Sequence, residues 1–405
     1  MKINTRQESL RIALLTYSTK PRGGVVHTLE LAEQMHKMGH QVHIFALGKD
    51  DQGFFRSTSF PFTLIPCKMG EENESLDTRI ERFIDTYFQF LIRHTHNPFD
   101  IYHAQDCVSA NALWKASAKG LCSFFIRTIH HIDDFVTPRL IQCQKDSIYK
   151  PDYRIVVSEY WKDRLQSEFE LDSHRIYNGV NINRFRPPTE IQRNNAKKNF
   201  DVNGKTVFLT IGGIEPRKNS IRLLRAFNSA RRKLITQGME SVLVIAGGET
   251  LFDYTPYRTE FFDCLNDSDL EIGKDILLLN TVEDVEIPML YHAADSLLFP
   301  SVKEGWGLVV LEAMASGLPV LTSDIPVFKE YLQHCKNAIM VNAKDELSIA
   351  SGIVTLAIDM KLKQQLSSSG PKTAKLYSWE RTGEEHIEYY YKLISEISSQ
   401  PFIEN

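Results

Sequence analysis

The stretch Glu304-Gly-Trp-Gly-Leu-Val-Val-Leu-Glu312 sets two carboxylates around two glycines and an apolar run. Residues 296–299 read as a strand and residues 308–315 as a helix, with Gly317 just past the helix end. Glycines placed directly before a helix let backbone N–H groups close on an anion, and the helix N-terminus adds positive partial charge. Gly305, Gly307 and Leu308 are therefore a candidate phosphate seat. Like charges repel, so Glu304 and Glu312 suit hydroxyl groups on either side of the phosphate. A diphosphate between two polyhydroxylated rings fits this layout, and a nucleotide sugar is such a molecule. The plain alternative is a capped surface helix with Glu312 in water.

Three more clusters follow other strands. Gly212-Gly-Ile-Glu-Pro-Arg-Lys-Asn219 comes after a strand at residues 206–211 and places Arg217 and Lys218 where the next helix opens. Two cations there could stabilise a departing diphosphate, because stabilising developing charge is often the largest catalytic contribution. A solvated basic turn is the alternative. After the first strand, Gly23 and Gly24 would let a phosphate or sugar lie against the backbone. They are not a Gly-x-Gly-x-x-Gly, so the dinucleotide fingerprint is missing and a nicotinamide enzyme is disfavoured. His130 and His131 end a strand at residues 124–129, where a histidine can hold a sugar hydroxyl or act as a base. Asp106 follows the preceding strand; Asp106 and His131 are the candidate acceptor-side residues. No His/Cys cluster has metal-ligand spacing, so no metal site is expected.

The elements that must position these residues alternate strand and helix, which implies parallel pairing with right-handed crossovers. Strands are expected at residues 11–17, 41–46, 100–103, 124–129 and 153–157, then at 206–211, 241–246, 275–279, 296–299 and 319–322. Asn178-Gly179 and Arg186-Pro-Pro188 interrupt the pattern. The 405 residues thus divide into a first domain at 1–185, a second at 186–378 and a terminal helix within 379–405. The fold class is α/β, two doubly wound Rossmann-like parallel-sheet domains facing across a cleft, with ligands beyond the carboxyl ends of the strands. Residues 48–60 and 68–81 read as variable loops on the acceptor side.

The formal net charge of -4 argues against a nucleic-acid partner. Six scattered cysteines without a Cys-x-x-Cys pair read as reduced thiols in a cytoplasmic protein. Only residues 12–15 form an apolar run near the N-terminus, too short for a signal peptide or a span. Peripheral membrane contact stays open.

Together these residues resemble glycosyltransferase family 4, the glycosyl transferases group 1 enzymes with the GT-B fold, over nearly the whole chain. Gly23-Gly24, Gly39-His-Gln-Val42, Tyr177-Asn-Gly-Val-Asn181 with Phe185 and Pro187, Tyr291-His-Ala-Ala-Asp295, Phe299-Pro-Ser301 and the Glu304/Glu312 pair carry the likeness. The resemblance implies metal-independent sugar transfer from a nucleotide-diphosphate sugar, with retention at the anomeric carbon and no cofactor. It implies that Glu304 holds donor-sugar hydroxyls, Glu312 the ribose, Lys218 and the amides of Gly307 and Leu308 the diphosphate. Gly24 would lie near the phosphates, His130 would touch the donor sugar, and the terminal helix would cross back to the first domain. Gly213 stands where the family usually has Arg, and Arg217 is expected to replace that cation. Tyr177 stands for the usual Pro, Asn181 for Asp and Trp306 for Phe. The acceptor is a glycan, a lipid or a small metabolite. A nucleotide-sugar epimerase and a non-catalytic nucleotide-sugar-binding subunit are the alternatives.

Overall fold

Residues 12–15 show why this chain builds sheets covered on both sides. Ile12 and Leu14 join one buried cluster with Val25, Leu29 and Met35, while Ala13 and Leu15 join another with Phe83, Ile84 and Leu113. Successive side chains leave a strand on opposite faces, so a strand buried on both needs an unbroken apolar run and helical crossovers. The computed structural model describes residues 8–49, 53–68, 74–94, 98–248 and 254–399. The chain divides into two units, residues 1–178 with 379–405 and residues 179–378.

The first unit begins β1 (Arg11–Thr16), α1 (Gly23–Lys37), β2 (Gln41–Gly48), β3 (Phe62–Pro66), α2 (Leu76–His94), β4 (Ile101–Ala104) and α3 (Cys107–Ser117). It continues β5 (Ile126–Ile129), α4 (Pro138–Tyr149), β6 (Tyr153–Val156), α5 (Glu159–Phe169) and β7 (His174–Arg175). The second unit holds α6 (Glu190–Asn199), β8 (Thr206–Ile211), α7 (Ser220–Ile235), β9 (Ser241–Ala246), α8 (Thr255–Asn266) and β10 (Ile276–Leu278). Then come α9 (Ile287–Ala293), β11 (Ser296–Phe299), α10 (Leu308–Ala315), β12 (Val320–Ser323), α11 (Pro326–Lys329), β13 (Ile339–Val341), α12 (Glu346–Ile358) and α13 (Met360–Ala374). The last helix, α14 (Trp379–Ser398), belongs to the first unit. Its Ile387, Tyr390 and Leu393 share a buried cluster with α1, and a Cβ at Gly383 would stand 2.9 Å from Gln34 Cβ.

The strand order is β3-β2-β1-β4-β5-β6-β7 in one sheet and β10-β9-β8-β11-β12-β13 in the other, every pair parallel. Both orders reverse once, between β1 and β4 and between β8 and β11. The carboxyl ends of those four strands are where a doubly wound sheet opens a crevice.

The structure differs from the sequence reading in three places. Residues 76–81 are not loop: α2 begins at Leu76, and its Ile80, Phe83, Ile84, Tyr87 and Leu91 are buried at helical spacing. Residues 50–52 and 69–73 of the expected loops lie outside the described residues. Strands β3, β7 and β13 are additional; β7 has two residues and β13 three, too short for any period to register. The units divide between residues 178 and 179, because Val180 already pairs with Ser378 and Phe185 packs its ring on Tyr291.

Beneath the carboxyl edge of the first sheet lies a group of enclosed imidazoles. His103 Nδ1 is 2.6 Å from Tyr390 Oη and its Nε2 is 2.7 Å from Thr128 Oγ1. His27 Nδ1 is 2.9 Å from Asn178 Oδ1, and His386 Nδ1 donates to the Thr382 carbonyl. Burial pushes His27 down to about 3 and His386 to about 4, and holds His103 well below the ordinary imidazole range. Between those values and 6.5 the unfolded chain binds protons that the folded chain refuses. Stability is therefore full above pH 6.5 and falls on acidification, by about 1.4 kcal/mol per pH unit for each such imidazole. His386→Asn is expected to make that fall shallower by about one imidazole's share, as read from urea unfolding at a series of pH values between 6.5 and 4.5.

Candidate functional site

In the second unit, the loop after β8 is drawn against the loop after β11. Residues Pro216–Lys218 form a 3-10 turn, and Asn219 adopts the left-handed conformation at φ 61°. The Asn219 amide donates to the carbonyls of Pro300 (3.1 Å) and Ala343 (2.7 Å), and Val302 N–H donates to the Arg217 carbonyl (2.8 Å). These bonds bring together three side chains that the sequence singles out separately. Lys218 Nζ donates to Glu304 Oε1 at 2.6 Å, and Arg217 Nη1 donates to the same oxygen at 3.2 Å. Lys218 Nζ also stands 4.2 Å from the centre of the Phe299 ring. Burial draws the Lys218 pKa down, with Arg217 adding to the effect and Glu304 opposing it.

Glu215, which sequence reasoning passed over, explains the glycine beside it. Its Oε2 lies 3.1 Å from Arg217 Nε, and a Cβ at Gly213 would stand 3.1 Å from its Oε1. A side chain at 213 and Glu215 in this position compete for one space. Arg217 is thereby held between two buried carboxylates, Glu215 and Glu304.

Gly307 caps α10 at φ +91°, and a Cβ there would meet Phe328 Cε1 at 2.7 Å. Only glycine fits both constraints. Gly305 is buried beside it. The amide of Leu308 opens the helix, where N–H groups have no carbonyl one turn back. Trp306 is enclosed by Tyr331 and Tyr377 at ring distances of 4.8 and 5.2 Å, and its carbonyl accepts from Tyr331 Oη. Glu312 lies a turn into the helix, half-buried, and Tyr291 Oη donates to its Oε2 at 2.7 Å. It is a held carboxylate, not a solvated one. Nothing in the sequence near Glu312 points to Tyr291.

In the first unit, Gly23 and Gly24 are the opening residues of α1. No atom stands within 4 Å of where a Gly23 Cβ would be, whereas a Cβ at Gly24 would meet the His130 ring at 3.6 Å. His130 packs edge-on to His27 at 4.7 Å; its Nε2 is buried without a partner, and burial holds its pKa well below the ordinary range. His131 diverges, its Nε2 3.2 Å from Asp133 Oδ2. Asp106 caps α3: its oxygens accept from Ser109 N–H (2.8 Å) and Tyr17 N–H (2.6 Å). Gly24 and His130 are thus brought together, while His131 and Asp106 are engaged elsewhere. Among the described residues no group of His, Cys, Asp and Glu is arranged to hold a metal, and no helix is long and apolar enough to cross a membrane.

Comparison with known proteins matches residues 21–184 to the family described as Glycosyltransferase Family 4 and residues 191–373 to that described as Glycosyl transferases group 1. An uncharacterized glycosyltransferase of Methanocaldococcus jannaschii is 26% identical over 94% of this chain and 98% of its own. A D-inositol 3-phosphate glycosyltransferase of Corynebacterium urealyticum is 24% identical over 95% and 96%. Among solved structures, Anabaena HepE in complex with UDP and glucose superposes with a TM-score of 0.73 at 17% identity, covering 96% of this chain and all of the other. Sucrose-phosphate synthase of Thermosynechococcus elongatus does so with a TM-score of 0.76 at 18% identity, covering 95% and 99%. The fold is GT-B.

Glu304 has two cations, so losing one leaves it paired. In a Glu215→Gln background, which keeps Arg217→Met from stranding a second carboxylate, Lys218→Met and Arg217→Met alone are each expected to cost well under the roughly 3–5 kcal/mol of a broken buried pair, and the double variant to approach it. Adding Glu304→Gln to the double variant should restore most of the loss. Urea unfolding of the four proteins checks this; equal, additive costs for the two single changes would show that the cations do not share the carboxylate.

Proposed function

The chain belongs to the family 4 glycosyltransferases, and from that premise we propose that it moves a sugar from a nucleoside-diphosphate sugar to an acceptor hydroxyl with retention. The observation that carries the donor assignment is the convergence of Lys218 and Arg217 on Glu304 beside the N-terminus of α10. Two cations and an open helix end suit a diphosphate, and a carboxylate beside them suits the hydroxyls of the ring it carries. HepE and a starch synthase have been seen with UDP or UDP-glucose and with ADP, which supports a nucleotide donor here.

In this reading Lys218, Arg217 and the amides of Gly307 and Leu308 hold the diphosphate, with Gly213 leaving room for the Glu215 that steadies Arg217. Glu304 accepts from sugar hydroxyls. Glu312, oriented by Tyr291, accepts from the ribose. For the first unit, the family likeness alone assigns Gly24 to phosphate and His130 to a sugar hydroxyl. The bond from the anomeric carbon to the diphosphate oxygen breaks, and the acceptor oxygen bonds to the same face. The acceptor proton leaves with the diphosphate. The cations stabilise the charge that grows on the leaving group, and held geometry supplies the rest of the rate. Retention rests on the family likeness. The reaction is assigned no metal, on the same ground. Arg217 standing in for the cation absent at Gly213 weighs against a non-catalytic subunit; an epimerase differs in needing no acceptor, which product analysis reads directly.

The test is a thermal-shift panel with UDP, GDP, ADP, CDP and dTDP on the wild type and on Glu312→Ala. A nucleotide that binds only the folded state raises the melting temperature. One nucleotide is expected to do so and to lose most of its effect in the variant; no shift with any of them at millimolar concentration overturns the donor assignment. Gly213→Arg, by displacing Glu215, and Glu215→Ala, by removing it, are each expected to weaken that nucleotide's effect, because Arg217 then loses the carboxylate that steadies it. Unchanged binding in Glu215→Ala would remove Glu215 from the clamp.

A further inference from the structure

Around the carboxyl end of β4, along β5 and on α1 beside them lie buried polar groups that the protein leaves unsatisfied. Both amide atoms of Gln105, Nε and Nη1 of Arg127, and Nε2 of His27 and His130 have no hydrogen-bond partner. Arg127 is 7% exposed and Gln105 2%, so neither omission is relieved by open solvent. Arg127 lies on β5 beside Ala104, the last residue of β4, and Gln105 follows directly. β4 pairs with β1, so Gln105 stands at the reversal of strand order, where the crevice of a doubly wound sheet lies, and Arg127 is one strand away at the same level.

An arginine does not shed its proton in a protein, so Arg127 is a fixed charge. Burying such a charge without an acceptor is strongly unfavourable, and native structures keep one only for a reason. Asp106 is within electrostatic reach, but its oxygens are bonded to the Ser109 and Tyr17 amides and make no ion pair with Arg127. The thiols of Cys107 and Cys143 are also near and are weak acceptors.

We propose that Arg127 and Gln105 form the binding site for a carboxylate on the acceptor. The guanidinium fork matches a carboxylate with two parallel hydrogen bonds, and the Gln105 amide adds a donor or takes a neighbouring hydroxyl. Charge selects a carboxylate over a phosphate dianion. Arg127 is a single cation with Asp106 close by, and the His27, His103 and His130 rings are enclosed with each other and add no second positive charge. Assigning this anion to the acceptor rests on the transfer reading above; the anion site itself does not.

The test uses the full chain and acetate as the probe, titrated against chloride at constant ionic strength, on the wild type, Arg127→Met and Arg127→Lys. Acetate is expected to raise the wild-type melting temperature above its value in chloride. Its apparent affinity should fall about ten- to hundredfold in Arg127→Met, the worth of a charge-assisted hydrogen-bonded pair, and less in Arg127→Lys. In chloride, Arg127→Met should melt at or above the wild type, because it removes an unpaired buried charge. The nucleotide-induced shift should be the same in all three proteins. Acetate and chloride acting alike on the wild type, an acetate effect that survives in Arg127→Met, or an Arg127→Met protein that melts well below the wild type or fails to fold each overturn the site. Inorganic phosphate outdoing acetate overturns the assignment to a carboxylate. A wild type that answers to acetate and to no nucleotide leaves the anion site standing and removes the transfer reading.

Discussion

One carboxylate shared by two cations organises the carboxyl edge of the second sheet. Glu304 is nearly enclosed, and a buried carboxylate is stable only where positive charge and hydrogen bonds replace water. Both cations come from the neighbouring strand's loop, so the two loops must stay in register. Asn219 enforces this by hydrogen bonding two carbonyls of distant segments from a left-handed backbone. The same edge sets Gly307 against Phe328, so no side chain can grow from the residue that caps α10. Packing and electrostatics thus set a glycine-capped helix end and two cations side by side.

The first unit repeats that strand order with one more strand at its edge, and has a different electrostatic solution. Its edge gathers imidazoles that burial keeps neutral, with hydroxyl and amide partners in place of counter-charges. A neutral imidazole can both donate and accept, which suits hydroxyl groups better than phosphates. Arg127 is the exception, a permanent charge whose neighbouring carboxylate, Asp106, is bonded to backbone amides instead. The conflict it introduces is local, which is how natural folds carry sites: consistent packing everywhere except where a ligand completes it.

Much of this could be read from contiguous residues. The apolar runs of β1, β8 and β11 mark buried strands, and the loops that follow them carry Gly24, Lys218 and Glu304. The helix at Leu308–Ala315 and the glycine that ends it follow from local pattern alone. The α2 helix was legible too: Ile80, Ile84, Tyr87 and Leu91 have helical spacing, but the polar residues before them drew the reading toward loop. Strand β3 is harder, since Pro61 and Pro66 flank four residues that show no alternation.

Contiguous residues are enough to specify most of the strands and helices, the residue types at each strand's carboxyl end, and hence the class of ligand those ends can hold. Period and turn chemistry are properties of neighbouring residues, so no tertiary contact is needed to see them. Only the tertiary structure decided the partners. Lys218 and Glu304 meet across 86 positions, Tyr291 reaches Glu312 from another helix, Glu215 fills the space that Gly213 vacates, and Arg127 is left without an acceptor. Those pairings depend on which strands become neighbours and on how far each side chain is removed from water. Both follow from the packing of the whole sheet and from no local stretch of it.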